Sequence, residues 1–179
     1  MQKLLFPLGA ALALAATPAL AQIPPKLVPD YGRYQEVPDP YLKPDPAMRY
    51  KVVFDVSQPA RTPGSIHQGL ERVARMVNLL NRHGVKLQPA DIVVTIHGAA
   101  VPTTLTPQAF AARFKGAANP DAELIRQLTG AGVSFRLCGQ SMVSGGYTKA
   151  ELNPDVKVDV AAITTMATLQ LQGYAVIQD

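Results

Sequence analysis

Residues 156–178 read "VKVDVAAITTMATLQLQGYAVIQ". VKVDVA (156–161) is a short apolar, β-branched run and reads as a strand. AITTMATLQLQG reads as a helix that stops at Gly173, and YAVIQ (174–178) as a second strand. Two strands joined through a helix run parallel, so this segment predicts a parallel sheet.

The pattern repeats toward the N-terminus. YKVVFDV (50–56) and DIVVTIHG (91–98) are buried-type strands, and VSFRLCG (133–139) is a third. Between Ser65 and His83, Ile66, Leu70, Val73, Val77 and Leu80 recur at helical spacing, and Gly84 supplies the stop. On that helix Arg72, Arg75, Asn78 and Arg82 are expected to face solvent. TPQAFAARF (106–114) predicts a short helix with Thr106 as N-cap and Pro107 at its first position. Asn119-Pro120 repeats that signature before DAELIRQLTGAG, where Leu124 and Leu128 share one side. GQSMVSGGYTKAELNPD (139–155) reads as a polar, glycine-bearing loop. Five strands, apolar throughout rather than alternating, predict a single three-layer α/β/α domain with a five-stranded parallel sheet over residues 50–179.

The chain ahead of that domain has two parts. Residues 1–21 carry Lys3, an apolar run from about Leu4 to Ala16, and Ala19-Leu20-Ala21. That is the pattern of a secretory signal peptide cleaved after Ala21. The expected location is therefore periplasmic, with no stable membrane insertion of the mature protein. Residues 22–49 hold seven prolines among Asp, Lys and Tyr, which removes backbone donors and predicts an extended arm. Leu27, Val28, Tyr31, Tyr34, Tyr41 and Leu42 give the arm apolar contacts with which to lie along the domain or a neighbouring subunit.

Composition excludes several function classes. The formal net charge is +4, one unit of it Lys3, and the basic residues are scattered without aromatic interleaving. Nucleic-acid binding has no support in that pattern. A single cysteine rules out an intrachain disulfide, a CxxC pair and a multi-cysteine zinc site. Three separated histidines, without HxH or HExxH, give no metal site. GQSMV is not a nucleophile elbow, because Val143 stands where the second glycine belongs. No cofactor is expected.

In open parallel sheets, ligands bind at the carboxyl ends of the strands. There the sequence collects Asp55, His97, Arg136, Cys138, Gly139, Gln140, Ser141 and, near the fourth strand's end, Asp159. Cys138 is either a packed hydrophobe, as free cysteines commonly are, or a reactive thiol. His97 is either a packed ring or an acid/base partner of that thiol.

KVVFDVS, DIVVTIHGAAV, GVSFRLCGQSM and LNPDVKVDVAAITTMATLQLQGYAVI together resemble the DsrE/DsrF-like family of small sulfur-relay proteins, over about 130 residues. The resemblance implies a DsrE-like, flavodoxin-like architecture and assembly into a homotrimer or homohexamer. It also implies a cysteine that accepts sulfane sulfur as a persulfide and hands it to a partner thiol, with a sulfur donor or acceptor protein, unidentified, as partner. Cys138 is the matching position, and family topology would bring His97 toward it. On this reading Cys138 and His97 carry the chemistry. Arg136, Gly139, Gln140 and Ser141 bind substrate, with Arg136 or the loop amides holding an anionic donor such as thiosulfate. Two alternatives stand beside it: a non-catalytic oligomeric binding module in which Cys138 is packing, and a redox-sensing or intermolecularly disulfide-bonded subunit.

Overall fold

The computed structural model describes residues 24–178. The signal-peptide reading for residues 1–21 lies outside the described residues. Five strands, β1 (Val52–Val56), β2 (Ile92–Ile96), β3 (Ser134–Cys138), β4 (Val156–Asp159) and β5 (Ala175–Gln178), form one sheet. All pairings are parallel, in the order β4-β3-β2-β1-β5. The α-helices are α1 (Gln68–Arg82), α2 (Pro107–Arg113), α3 (Ala122–Gly130), α4 (Gly139–Ser144) and α5 (Ala162–Leu171).

This order and the handedness of parallel crossovers decide which face each helix covers. From β1 to β4 the chain always steps toward the same edge, and then it returns across the sheet to place β5 beside β1. Right-handed connections put the helices of the outward steps on one face and the helix of the return on the other. Accordingly Leu70, Val73 and Val77 of α1, Leu124 and Leu128 of α3, and Met142 of α4 share one core with Phe54, Val94, Phe135 and Leu137. The return helix α5 packs on the opposite face, against β1, β2, β3 and β5.

The two faces differ in chemistry. Val53 and Val93 are buried on the α5 face, but that face also carries a row of register partners, Asp55, Thr95, Arg136 and Lys157 from β1 to β4, of which Thr95 is buried and Lys157 exposed. Strand alternation places all four on the side away from the main core. Within that row the Thr95 hydroxyl is buried without a hydrogen-bond partner. A single helix cannot cover five strands. Of α5 only Ala162 is fully buried, while Ile163 and Leu171 are exposed.

The arm lies along its own domain. Val28 is completely buried, and its N–H and C=O both bond the side-chain amide of Asn78, at 3.0 and 2.9 Å. The same Asn78 Nδ2 reaches the Tyr31 carbonyl at 3.0 Å, and Asn81 Nδ2 bonds the Pro25 carbonyl at 2.7 Å. Gly32, at φ +64°, passes so close to α1 that a Cβ would fall 2.3 Å from the Ala74 carbonyl carbon. Any other residue there would have to lift the arm away. Past residue 36 Val37, Tyr41 and Leu42 are exposed, and the arm rejoins the domain where Arg49 pairs with Asp91 at 2.8 Å.

Three sequence expectations are corrected. Asn78 does not face solvent; it is buried and serves as the arm's hydrogen-bonding partner. Residues 139–155 are not one loop, since α4 starts directly after β3 and Lys149–Glu151 form a 3-10 turn. The helix after Asn119-Pro120 begins at Ala122, with Asp121 in the cap position. The Asn119 side chain instead donates to the carbonyls of Thr103 and Leu105 and accepts from the Asp121 amide. The Thr106 cap and Pro107 are as expected, with Thr106 Oγ1 accepting from the Ala109 amide.

Asn78→Ala leaves the Val28 amide and carbonyl buried without partners, a loss of about 2–4 kcal/mol at the usual cost of unsatisfied buried groups. Urea denaturation should read that loss, and limited proteolysis should then cut within residues 24–36 ahead of the domain.

Candidate functional site

The outward and return windings separate between β3 and β4, so the chain leaves Cys138 toward one face and leaves Asp159 toward the other. Cys138 and Asp159 are register partners at the ends of those strands. Adjacent strands whose connections diverge open a crevice at their carboxyl ends, and such crevices are where α/β sheets hold ligands.

Cys138 stands at that crevice as the residue that caps α4, and its surface is 6% exposed. Burial pushes its thiol up. The Ser141 hydroxyl and the backbone amides of Ser141, Ala162 and Gln140 act against burial and bring the thiol below its ordinary value. Donors thus converge from both windings, Gln140 and Ser141 from α4 and Ala162 from the start of α5. Ser141 Oγ also accepts the Gly98 amide at 3.1 Å, which ties the turn after β2 to the same point.

Gly139 makes the arrangement possible. A Cβ at this position would lie 2.6 Å from the Asp159 carbonyl oxygen and 3.2 Å from that of Val160. The β3–α4 and β4–α5 junctions can approach this closely only across a glycine. Gln140 Nε2 reinforces the contact by donating to the Val160 carbonyl at 3.3 Å.

His97 lies one residue beyond Ile96, the register partner of Leu137, so it ends β2 level with Cys138 on the neighbouring strand. Its Nε2 contacts Asp55 Oδ1 of β1 at 2.7 Å, with both side chains largely buried. A carboxylate in that position fixes ring orientation and leaves Nδ1 as the ring nitrogen that Asp55 does not engage. Sequence order placed Asp55 at this edge, but only the β1–β2 register reveals its pairing with His97.

Arg136, two residues before Cys138 on the same strand face, engages Asp159 rather than the thiol. Its Nη1 lies 3.1 Å from Asp159 Oδ1, its Nε donates to Ser134 Oγ, and Asp159 Oδ2 accepts from Thr165 Oγ1 at 2.8 Å. Arg136 and Asp159 floor an open cleft of about 390 Å³, walled by Val160, Thr164, Thr165, Thr168, Leu169 and Gln172 of the β4–α5 segment. The sequence marks this segment only as a helix, because nothing in a Thr-rich helical run singles out the side that borders a cleft. His67 plays a different part. It caps α1 by accepting from the Gly69 amide at Nδ1.

The DsrE/DsrF-like family model matches residues 51–178, and the chain belongs to that family. Among solved structures it is similar to a protein of unknown function, MTH1491 from Methanobacterium thermoautotrophicum. The two are 18% identical, the alignment covers 73% of this chain and 99% of the other, and the TM-score is 0.55. That likeness establishes the fold alone. Comparison with curated proteins gives no match. Family membership supports a role of the general sulfur-relay kind. No helix among the described residues is long and apolar enough to cross a membrane.

A thiol held below its ordinary value stabilises the folded protein above the unfolded-state pKa, and that contribution is lost as pH falls through the folded value. Iodoacetamide labelling followed against pH should therefore show Cys138 titrating below an ordinary thiol. Ser141→Ala removes one of the lowering donors and should move that midpoint upward. A midpoint unchanged by Ser141→Ala would show that the hydroxyl does not act on the sulfur.

Proposed function

We propose that the protein is a periplasmic sulfur carrier in which Cys138 accepts sulfane sulfur as a persulfide and transfers it to a partner. The observation that carries this reading is the convergence of α4 and α5 donors on the chain's single thiol, at the crevice where the windings diverge. Attack on sulfane sulfur needs thiolate, and the same donors that lower the thiol would receive the charge of a bound persulfide. His97, oriented by Asp55, is the acid–base group for the proton that the thiol gives up. Exposed apolar side chains of Val143, Val160 and Ile163 border this edge and suit contact with another protein.

The low exposure of Cys138 favours a second reading, a binding module in which the thiol is packing. One experiment separates the two. The protein is incubated with a sulfane-sulfur donor and its intact mass is measured, with Cys138→Ser as control. Carriage predicts a gain of about 32 Da, one sulfur atom, that dithiothreitol reverses and that the variant never shows. A thiol that neither gains sulfur nor reacts with iodoacetamide in the folded protein leaves the packing reading standing.

A further inference from the structure

The cleft floored by Arg136 and Asp159 carries two opposite charges, not one. Arg136 is one-third exposed and Asp159 about one-quarter, and they face each other at 3.1 Å. Lys157, the register partner of Arg136, sits exposed on the edge strand and does not line the cleft. A simple anion entering here would gain the guanidinium and meet the carboxylate. A molecule with both an ammonium and a carboxylate meets a matching partner for each, and the rest of the wall is threonine hydroxyls and the Gln172 amide.

The supply of hydrogen-bonding groups agrees. A guanidinium has five N–H groups; Ser134 and Asp159 each take one in the fold, leaving a fork for a carboxylate. Each Asp159 oxygen accepts one hydrogen bond, from Arg136 or Thr165, and a carboxylate has further lone pairs for an ammonium. The volume of about 390 Å³ lies within the range of small-molecule sites. Cys138 does not itself line the cleft; it is the register partner of Asp159, so a ligand held on Asp159 sits one strand away from the residue that carries the sulfur.

We infer that this cleft binds the zwitterionic head of an α-amino acid, and that the sulfur donor is a low-molecular-mass α-amino-acid persulfide. The second half rests on the carrier function proposed above. In the transfer, the Cys138 thiolate attacks the terminal sulfur of R–S–SH. A new S–S bond forms at Cys138 as the donor S–S bond breaks, and the departing R–S⁻ takes the bonding pair and the proton released by the thiol. Cys138 thiol and R–S–SH become Cys138 persulfide and R–SH, with no external oxidant or reductant.

Calorimetry of the purified protein with S-methyl-L-cysteine, which keeps the zwitterion and has no thiol, tests the site. It should bind, and methylthiopropionate, methylthioethylamine and thiosulfate should each bind about tenfold or more weakly, since each offers only one charge sign. Arg136→Gln and Asp159→Asn should each cost about tenfold. The ligand series on the unaltered protein decides the matter even where a variant folds poorly. Thiosulfate binding as tightly as the zwitterion, or no zwitterion binding at millimolar concentration, overturns the inference.

Intact mass after treatment with cysteine persulfide or inorganic polysulfide tests the donor. Faster loading from cysteine persulfide, lost in Arg136→Gln, supports it; equal loading from both donors, unaffected by Arg136→Gln, overturns it. Loading by neither donor, with zwitterion binding intact, overturns the carrier function and the donor assignment and leaves the amino-acid site.

Discussion

Right-handed crossover connections are the constraint on which the rest of this molecule depends. Four strands laid down in one direction put α1, α3 and α4 on one side of the sheet, and the single reversal at β4 puts α5 on the other. The reversal lets two windings part company beside Cys138. It also leaves one helix to cover a whole sheet face, and that face is accordingly the one on which polar side chains persist.

The asymmetry explains why the molecule can hold both a rigid core and a chemically varied edge. The α1 and α3 side is a continuous apolar layer whose buried leucines and valines contribute on the order of 2 kcal/mol each. That stability sustains less favourable features on the other side: the unpartnered Thr95 hydroxyl, the half-buried Arg136–Asp159 pair and the Asp55–His97 pair. Groups of this kind weaken a core when unsatisfied, and here they cluster on the face that opens to the cleft.

Much of this was legible in the residues because burial writes itself into composition. Short β-branched strands separated by helices announced a parallel sheet, and Thr106-Pro107 announced a helix start. The location of Cys138 followed from strand order alone. What escaped was whatever depends on partners distant in sequence. Asn78 looks like a surface residue on a helix flank until Val28, fifty positions earlier, is placed against it. Asn119 looks like an N-cap until the carbonyls of Thr103 and Leu105 claim its amide. GQSMVS has little intrinsic helix preference, and α4 forms because β3 ends under it and Met142 reaches the core. The Arg136–Asp159 pair needs the β3–β4 register, which strand propensity does not supply.

The docking of Val28 and Gly32 on α1 bears on what counts as one folding unit. The family segment begins at residue 51, but the hydrogen bonds of Asn78 and Asn81 reach back to residues 25–31. A chain trimmed to the family segment would present two side-chain amides and a strip of helix backbone to water in place of their peptide partners. The segment that the family model matches is therefore shorter than the segment these hydrogen bonds tie together.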